Sequence, residues 1–384
     1  MDILIHPTKL KGKVQAIPSK SQAHRLLILA AFAEKETELI LRETSRDMEA
    51  TAACLRALGA EITRTEQGYQ VIPTRQIPTT CYLPCGESGS TLRFLLPVAG
   101  ALGVDATFLL EGRLPQRPLS PLWEEMEQMG CILTRPTENT IRCCGKLRSG
   151  LYRIPGNISS QYITGLLLAF PLMDGESQLS VTGKLESKPY VDMTRQALDI
   201  FQKGSPGKIV VEGDWSNGAF FLAANTLGNQ VDVFGLDPNS AQGDRAVANI
   251  LQNTAYPWQI DASDIPDLVP ILAIAASRCG AHFTNIARLR LKESDRVASV
   301  LAMLHNLGIE AHADENQLWV SPGSFTGGVV DALNDHRIAM AAAIAATASQ
   351  GPVKILGCQC VEKSYPRFWE EYRSLGGNYE FFLR

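Results

Sequence analysis

One predicted helix begins with several polar and cationic side chains close together in the sequence. The stretch IPSKSQAHRLLILAAFAEKETELIL, residues 17–41, opens with Lys20, Ser21, His24 and Arg25 and then becomes an apolar helical pattern. A helix N-terminus exposes unpaired N–H groups and about half a positive charge, so a cation placed there is unfavourable unless an anion offsets it. The stretch therefore favours an anion-binding site over a merely capped and solvated helix start.

Ionisable residues recur at or just before the starts of other predicted helices. They are Arg93, Arg117, Asp267, Lys292, Glu293, Asp295, Arg296, Asp335, His336, Arg337 and Lys363. Planar arginines suit carboxylate and phosphate groups, and lysines act as point charges or, with a lowered pKa, as acids and bases. In a chain of net charge -4, this local excess of cations predicts substrates that carry several negative charges.

Taken singly, each of these residues also has an ordinary explanation. Asp267 is placed where a helix N-cap is expected. Lys292 and Arg296 have i,i+4 spacing on a charged helix face. Lys363 precedes an X-Pro break, as a surface lysine often does. Recurrence of such residues at equivalent places along the chain is what favours a functional interpretation.

The elements that must hold these residues are six variations of one unit. Each variation begins with polar or turn-forming residues, often glycine and serine, continues as an apolar helix and ends in a short strand; the six span 17–41, 86–112, 156–183, 213–236, 265–286 and 333–357. Between them recurs an amphipathic helix, a glycine suited to a left-handed helix end, and strand residues. This second part is shortened after the third and fourth variations. The predicted class is α/β, built from repeats.

The repeats divide the chain into two nearly equal parts. Turn-rich segments near Ile17 and at 207–214 are the best boundary candidates. We predict one domain at 19–212 with the first three repeats, and a second domain formed by 1–18 and 213–384; a closed ring of six units is the alternative. Parallel helices within each domain would bring their N-termini to one face, which predicts an active site in the cleft between the domains.

Serines at the helix starts would add hydrogen-bond donors at that face. They are Ser21, Ser88, Ser90, Ser159, Ser160 and Ser216. Together with the helix N-termini, they predict sites for phosphate and carboxylate groups.

Composition and motifs exclude several other classes. Hydrophobic residues are 45% and charged residues 20% of the 384, as in a soluble globular protein, and no uncharged apolar run has the length of about 18 residues that a bilayer requires. The start resembles a strand, not a signal or transit peptide, which predicts the cytoplasm. No basic block indicates nucleic acid binding. The nine cysteines lack zinc-site spacing, and Rossmann, P-loop and hydrolase motifs are absent from the sequence.

Ten segments, in a fixed order across essentially the whole chain, carry a resemblance to a known family. They are PSKSQAHR, CGESGSTLRF, LPQRPL, GNISSQYITGLLLA, SKPYVDMT, EGDWSNGAFFLAA, IPDLVP, LRLKESDR, LNDHRIAMAAAI and EKSYPRFWEE. With this set the sequence resembles the 5-enolpyruvylshikimate-3-phosphate synthase family. The resemblance implies the inside-out α/β barrel of enolpyruvyl transferases, with two pseudo-symmetric domains of three repeats each. It also implies a monomer that needs no cofactor or metal.

The implied reaction belongs to the shikimate pathway. It transfers a carboxyvinyl group from phosphoenolpyruvate to the 5-hydroxyl of shikimate 3-phosphate and releases phosphate. Residues that the resemblance assigns to shikimate 3-phosphate are Ser21, Arg25, Ser159, Ser160, Gln161, Ser187, Tyr190, Asp267 and Lys292. Those that it assigns to phosphoenolpyruvate are Lys20, Gly89, Arg117, Gln161, Arg296, Arg337 and Lys363.

The chemistry requires an acid, because the methylene of phosphoenolpyruvate must be protonated before its neighbouring carbon becomes electrophilic. Glu293 is the expected acid, with Lys20 as co-catalyst. Asp267 would aid attack by the 5-oxygen, and His336 would border the reacting carbons. Loss of phosphate from the tetrahedral ketal would be assisted by Lys363 and Arg117. The catalytic residues implied are thus Lys20, Asp267, Glu293, His336 and Lys363.

One position departs from the family pattern. Glu87 stands where the family often has asparagine, and it adds a negative charge close to the expected phosphoenolpyruvate position. Pairing of Glu87 with Arg93 or Lys20 is one outcome, and weakened binding of phosphoenolpyruvate is the other.

Three alternative functions agree less well with the sequence. UDP-N-acetylglucosamine enolpyruvyl transferases typically have asparagine after the first lysine and a cysteine in the second repeat; here Ser21 follows Lys20, and EGRLPQRPL has no cysteine. A non-catalytic anion-binding protein on this scaffold should lack Lys20 or Glu293, and both are present. A relative of RNA 3'-terminal phosphate cyclases should show nucleotide-binding features, which the sequence does not contain.

Overall fold

Short strands alternate with buried helices along the whole chain. The computed structural model describes residues 1–382. Its strands are β1 (Asp2–His6), β2 (Lys11–Gln15), β3 (Thr37–Ile40), β4 (Glu61–Arg64), β5 (Gly68–Ile72), β6 (Thr80–Gly86), β7 (Asp105–Leu110), β8 (Cys131–Thr134), β9 (Thr140–Gly145), β10 (Leu151–Pro155), β11 (Gln178–Thr182), β12 (Lys208–Val210), β13 (Gln230–Phe234), β14 (Trp258–Asp261), β15 (Ala281–Thr284), β16 (Ala311–Ala313), β17 (Gln317–Val320), β18 (Gly328–Asp331), β19 (Val353–Leu356) and β20 (Asn378–Phe382).

The helices include both fully buried and amphipathic ones. They are α1 (Lys20–Ala31), α2 (Arg46–Ala57), α3 (Gly89–Leu102), α4 (Leu122–Gln128), α5 (Ser160–Ala169), α6 (Lys188–Gln202), α7 (Trp215–Thr226), α8 (Val247–Gln252), α9 (Val269–Ala275), α10 (Arg296–Asn306), α11 (His336–Ala346) and α12 (Phe368–Ser374). Within residues 1–382, no helix is long and apolar enough to cross a membrane.

The chain forms two compact units. Unit I is Pro18–Glu212, and unit II combines Met1–Ile17 with Gly213–Arg384. Each unit has its own hydrophobic core: buried residues such as Leu27 and Phe108 lie in the core of unit I, and Ile3 lies in that of unit II.

The same sheet pattern recurs in both units. Unit I contains the sheets β12-β3-β5-β4, β6-β7-β9-β8 and β10-β11, and unit II contains β18-β19-β1-β20, β14-β15-β17-β16 and β13-β2. The first two strands of every one of these sheets are parallel, and the strands that follow in the four-stranded sheets are antiparallel. The two-stranded sheets belong to the third and fourth repeats, whose strand segments are shortened in the sequence.

A buried helix connects the two parallel strands of most sheets, because parallel neighbours require a long crossover. Helix α3 connects β6 to β7, α5 connects β10 to β11, and α11 connects β18 to β19. Helix α9 likewise connects β14 to β15. In the other two sheets the parallel partners are far apart in the chain: β12 pairs with β3, and β2 pairs with β13. The N-terminal strands β1 and β2 therefore complete sheets of unit II.

Helices that are apolar on all sides are the ones buried by the sheets, as expected when no face suits water. All eleven residues of α11 are buried, as are most of α3. In unit I, α3 and α5 approach so closely that a Cβ on Gly165 would lie 2.2 Å from the Arg93 carbonyl oxygen. A glycine is needed at that contact. The close packing places the N-terminal ends of α3 and α5 next to each other.

Candidate functional site

The two units cap their buried helices with different chemistry. In unit I the caps are serine hydroxyls: Ser19 accepts from Gln22 N at 3.4 Å, and Ser88 accepts from Thr91 N at 3.3 Å. In unit II, α7, α10 and α11 have carboxylate caps, and Asp335 of α11 accepts from Arg337 N at 3.0 Å. A serine cap satisfies one N–H group and leaves the positive end of the helix without a counter-charge.

Further caps follow the same division. Ser159 accepts from Gln161 N at 3.2 Å in unit I. In unit II, Asp214 caps α7 and Asp295 caps α10. Ser216, predicted at a helix start, lies inside α7, which Asp214 caps instead.

In unit I, Lys20 is the first residue of α1 and is largely buried. Its Nζ lies 2.9 Å from Oδ2 of Asp47, which is in the first turn of α2. The sequence reading missed Asp47, because an acid in the first turn of an amphipathic helix is ordinary dipole compensation. The contact fixes the direction of the Lys20 side chain at the N-terminus of α1.

Arg25 is buried in unit I among uncharged groups. Its Nε donates to Thr194 Oγ1 at 2.8 Å, and its Nη2 donates to Thr164 Oγ1 at 3.2 Å and to Tyr190 O at 2.9 Å. Its Nη1 donates to Ser21 O at 2.5 Å. Among residues 1–382, no carboxylate lies within ion-pair distance of this guanidinium.

This environment leaves the charge of Arg25 uncompensated. The side chain is 2% exposed and its guanidinium lies 5.0 Å from the centre of the Phe94 ring. Burial lowers the pKa of Arg25. A buried cation without a counter-charge is strongly stabilised by an anion that reaches it, so this position suits a carboxylate or phosphate ligand.

Two further guanidinium groups meet at the start of α3. A Cβ on Gly89 would lie 2.6 Å from Arg117 Nη1 and 2.7 Å from Arg93 Nη1. Arg93 Nη1 donates to Gln161 Oε1 at 3.2 Å, and Gln161 Nε2 donates to Ser90 Oγ at 3.1 Å. The lack of a side chain on Gly89 thus allows two cations to lie against a helix N-terminus, which favours an anion there.

The start of α6 is held in an unusual backbone conformation. Ser187 has φ 54°, in the left-handed region that non-glycine residues rarely adopt, and it is buried. Its carbonyl accepts from Tyr190 N at 3.1 Å, and the Tyr190 carbonyl in turn accepts from Arg25. Ser160 begins α5 directly after the cap Ser159. These contacts connect Ser187 to the environment of Arg25, and α5, which Ser160 begins, supplies Thr164 to the same guanidinium.

Glu87 turns toward a loop. A Cβ on Gly112 would lie 2.5 Å from Glu87 Oε2, so the carboxylate lies against the glycine that begins the segment leading to Arg117. Gly112 has φ 55°, which also favours glycine. The position of Glu87 therefore constrains the loop that carries Arg117.

Arg296 is the centre of an ionic network in unit II. Its Nε donates to Asp335 Oδ2 at 2.8 Å, its Nη1 to Asp267 Oδ1 at 2.6 Å, and its Nη2 to Glu293 Oε2 at 2.5 Å. Burial alone would lower the pKa of Arg296, but the charges of these carboxylates outweigh burial and hold the pKa well above its usual value.

Asp267 is surrounded by three cations. Its carboxylate lies 3.3 Å from Lys292 Nζ, 2.6 Å from Arg296 Nη1 and 3.1 Å from Arg337 Nη2. Burial alone would raise the pKa of Asp267, but Arg337, Lys292 and Arg296 outweigh it, and the pKa is well below the usual value. The group is therefore an ionised acceptor at neutral pH.

Two ordinary explanations weighed for this region are wrong. Helix α9 begins at Val269 and no side chain caps it, so Asp267 is not an N-cap. The i,i+4 spacing of Lys292 and Arg296 does not make them a surface pair, because Arg296 is 1% exposed and both contact Asp267. Burial lowers the pKa of Lys292, while Asp267 opposes that shift.

Lys363 and His336 complete the cluster of unit II. Lys363 is 8% exposed and its Nζ donates to Asn334 O at 2.9 Å. His336 is buried, with Nδ1 4.0 Å from Asp335 Oδ1. Asn334 and its neighbour Leu333 both have left-handed φ values, 58° and 50°. Such strain before α11 is typical of segments that orient functional groups.

A further acid of unit II was not found from the sequence. Asp244 is 3% exposed, and burial, followed by the charge of Asp267, raises its pKa to about 7, although Arg337 opposes the shift. It lies in the turn Gly243–Ala246, where the residue types alone indicate a surface loop.

The structure therefore brings the predicted residues together in two clusters. The unit I cluster is Lys20, Ser21, Arg25, Gly89, Arg93, Arg117, Ser159, Ser160, Gln161, Ser187 and Tyr190. The unit II cluster is Asp267, Lys292, Glu293, Arg296, Asp335, His336, Arg337 and Lys363. Over residues 1–382, no set of three His, Cys, Asp or Glu side chains is arranged to hold a metal ion.

Sequence comparison finds close relatives over the full length. Residues 5–204 and 254–372 match the family described as EPSP synthase (3-phosphoshikimate 1-carboxyvinyltransferase). A 3-phosphoshikimate 1-carboxyvinyltransferase of Clostridium kluyveri is 37% identical, with 98% of this chain and 97% of that protein covered. One from Clostridium acetobutylicum is 35% identical with the same coverage.

Solved structures share the fold. An EPSP synthase of Acinetobacter baumannii has a TM-score of 0.78 at 24% identity, covering 99% of this chain and all of that one. The enolpyruvyl transferase NikO of Streptomyces tendae has a TM-score of 0.73 at 14% identity, covering 99% and 98%. The predicted inside-out α/β architecture is thereby confirmed.

Proposed function

The chain belongs to the EPSP synthase (3-phosphoshikimate 1-carboxyvinyltransferase) family, and we propose that its two clusters contain the groups that carry out the family's reaction. The protein is a transferase of the shikimate pathway. It moves the carboxyvinyl group of phosphoenolpyruvate to the 5-hydroxyl of shikimate 3-phosphate and releases phosphate. The main support for the residue assignment is Arg25, a buried cation without a counter-charge. Arg25 donates to the carbonyl of Tyr190, whose N–H donates to the predicted phosphate-binding residue Ser187.

Shikimate 3-phosphate is the ligand proposed for the α1, α5 and α6 starts. Its carboxylate would bind Arg25 and Ser21. Its phosphate would bind the hydroxyls of Ser159, Ser160 and Ser187, with Gln161 and Tyr190 alongside. Support comes from the serine caps, which leave the helix N-termini without a counter-charge.

Ring hydroxyls of the same substrate are proposed to bind Asp267 and Lys292. The three cations around Asp267 keep it ionised, so it can accept a hydrogen bond from the 5-hydroxyl. Lys292 can donate to a neighbouring oxygen. The two groups lie 3.3 Å apart, which suits adjacent hydroxyls.

Phosphoenolpyruvate is the ligand proposed for the remaining cations. They are Lys20, Arg117, Arg296, Arg337 and Lys363, with Gln161 as a neutral donor. The two guanidinium groups at Gly89 support this assignment, because an anion there would also meet the N-terminus of α3. Gly89 would leave room that a larger residue fills.

Glu293 is proposed as the acid that protonates the methylene carbon. Its Oε2 accepts from Arg296 Nη2, and Arg296 is shared with Asp267 and Asp335. Binding of anionic phosphoenolpyruvate beside Glu293 would add negative charge and favour its protonated form. Lys20 would assist by neutralising the carboxylate of the donor, and His336 would border the reacting carbons.

The proposed reaction has three steps: protonation of the donor, addition of the acceptor oxygen and elimination of phosphate. The proton of Glu293 goes to the methylene, and the former double-bond carbon becomes cationic. The 5-oxygen adds to it, and its proton passes to Asp267; a weak base is sufficient, because an oxygen newly bonded to such a carbon is strongly acidic. The ketal then loses phosphate, which is stabilised by Lys363 and Arg117 and leaves as hydrogen phosphate with the proton that Asp267 took up. Glu293 takes back a methyl proton as the carbon–carbon double bond re-forms.

The test is phosphate release with phosphoenolpyruvate and either of two acceptors. We expect release with shikimate 3-phosphate and none with UDP-N-acetylglucosamine. Release with only the nucleotide sugar would identify the rival transferase. Release with neither acceptor would favour a non-catalytic anion-binding protein.

We also propose that the protein acts as a monomer in the cytoplasm. Light scattering coupled to gel filtration should give a mass near the 41.9 kDa of one chain. A mass of twice that value, independent of concentration, would contradict the monomer.

A further inference from the structure

Four buried side chains of unit I form an unbroken hydrogen-bonded chain. His24 Nδ1 lies 2.7 Å from Thr51 Oγ1, Thr51 Oγ1 lies 2.7 Å from Thr91 Oγ1, and Thr91 Oγ1 lies 2.7 Å from Ser88 Oγ. Each side chain is at most 1% exposed. These hydrogen bonds connect α1 to α2 and α2 to the start of α3. No step of the reaction described above uses it.

The protonation state of the His24 imidazole determines which group donates in each of these hydrogen bonds. Burial, and then the charges of Lys20 and Arg25, lower the pKa of His24 well below its usual value, so the ring is neutral and carries one N–H. His24 Nε2 is buried and has no hydrogen-bond partner within residues 1–382. A buried N–H without an acceptor is rarer than a buried acceptor without a donor. The proton therefore belongs on Nδ1, where Thr51 accepts it.

A donor at His24 sets the direction of every later bond. When Thr51 accepts from His24, its own hydroxyl hydrogen is satisfied by donating to Thr91 Oγ1, the other hydroxyl within 2.7 Å. Thr91 in turn donates to Ser88 Oγ; within residues 1–382 its other acceptor for that hydrogen is Asp47 O, at the longer distance of 3.4 Å. Ser88 Oγ also accepts from Thr91 N at 3.3 Å. Because both lone pairs of Ser88 Oγ are occupied by Thr91, the hydroxyl hydrogen of Ser88 is directed away from Thr91.

The Ser88 hydroxyl belongs to the N-cap of α3, one residue before the glycine at which the guanidinium groups converge. Ser88 caps α3, and the following residue is Gly89, whose absent Cβ faces Arg93 and Arg117. An anion at this place would meet the guanidinium groups, the helix N-terminus and one additional O–H donor.

We propose that His24, as the neutral Nδ1–H tautomer, is a positioning residue that acts through Thr51 and Thr91 to aim the Ser88 hydroxyl at bound phosphoenolpyruvate. This inference rests on the proposed function for the identity of the anion. The reversed chain would end on His24 Nδ1 and leave a buried Nε2–H without an acceptor.

The kinetic test removes the Thr51 hydroxyl, which lies in the middle of the four hydrogen-bonded groups. Thr51→Val keeps the side-chain shape and deletes the hydroxyl, so Ser88 is no longer oriented. We expect the KM for phosphoenolpyruvate to rise about tenfold, the size of one lost hydrogen bond to a charged group, with the KM for shikimate 3-phosphate nearly unchanged. Thr51→Ser should restore the wild-type KM.

The matched control is Thr37→Val. Thr37 is also buried in unit I, but its Oγ1 has no hydrogen-bond partner in the described part of the chain. This control should leave both KM values unchanged. Equal KM values for phosphoenolpyruvate in Thr51→Val and Thr37→Val, in an active enzyme, would overturn the proposal without touching the proposed function.

The tautomer can be measured without turnover. In the full-length protein with ¹⁵N-labelled histidines, long-range ¹H–¹⁵N spectra distinguish Nδ1–H, Nε2–H and charged rings. Only six histidines contribute, and His24→Asn identifies the signal by its loss. A neutral Nδ1–H pattern is expected. A charged or Nε2–H ring would overturn the proposal even if Thr51→Val did not fold.

Discussion

Arg25 and Arg296 are both buried arginines, one in each unit, and their surroundings are opposite. Arg25 donates only to hydroxyl and carbonyl oxygens, whereas Arg296 donates to three carboxylates. Burial lowers the pKa of Arg25, and the carboxylates raise that of Arg296. The first charge is available for a ligand, and the second is already compensated.

The helix caps show the same difference on a larger scale. Serines cap α1, α3 and α5 of unit I, and aspartates cap α7, α10 and α11 of unit II. At Arg25, unit I therefore offers a positive charge without a counter-charge, which suits recognition of an anion. Unit II offers a compensated network in which acids are held at fixed positions, which suits proton transfer and orientation of hydroxyls.

Removing the proposed acid should have the largest effect. Glu293→Gln keeps the contact to Arg296 but cannot donate the proton, so we expect kcat to fall at least about 1,000-fold while calorimetry shows shikimate 3-phosphate binding nearly unchanged. The exposed control Glu310→Gln should keep wild-type kcat. Unchanged turnover in Glu293→Gln would remove this residue from its role.

Replacing each buried arginine with methionine tests the comparison directly. Arg296→Met leaves three carboxylates without their cation, and we expect the free energy of unfolding to fall by about 3–5 kcal/mol. Arg25→Met removes an uncompensated charge, so the change should stay within about 1 kcal/mol. Chemical denaturation of the ligand-free proteins measures both. Equal losses would show that the two environments do not differ.

Asp244 gives a pH dependence of stability in unit II. Its native pKa of about 7 exceeds its ordinary value of 3.8, so between these values the native state binds more protons than the unfolded state. The free energy of unfolding then falls as pH rises through that window, by an amount on the order of a few kcal/mol. Asp244→Asn should lack this slope in denaturation curves from pH 4 to 7. Parallel profiles for both proteins would contradict it.

Gly89→Ala should have a smaller and more selective effect on unit I. The added methyl group displaces the ends of Arg93 and Arg117, which are flexible, so the fold should persist. We expect about a tenfold rise in the KM for phosphoenolpyruvate, because overpacking that displaces the two guanidinium groups would cost about 1.4 kcal/mol of binding free energy. Gly207→Ala is the control, because its Cβ would meet nothing within 4 Å. A rise in both variants would show that the site at Gly89 is not responsible.

Much of the fold could be predicted from local patterns. The glycine-punctuated repeats indicated six similar units, because apolar helices and glycine-ended amphipathic helices have strong signatures over a few residues. Parallel pairing of β12 with β3 was not predictable, since it joins strands at opposite ends of unit I.

The contacts that could not be predicted from the sequence are mainly long-range ion pairs. Lys20 and Asp47 are 27 residues apart, and Arg296 and Asp335 are 39 apart. Neither contact has a signature in local spacing. His24 likewise resembled one more polar group at a helix start, yet it is fully buried.

The central claim is that the charge of Arg25 is kept for the anionic acceptor substrate. Thermal unfolding with and without shikimate 3-phosphate tests it most directly, in wild type and in Arg25→Met. At a ligand concentration about 100 times Kd, wild type should gain about 2.7 kcal/mol of stability, and the variant should gain almost none at the same concentration. Equal stabilisation of both proteins by the ligand would contradict the account.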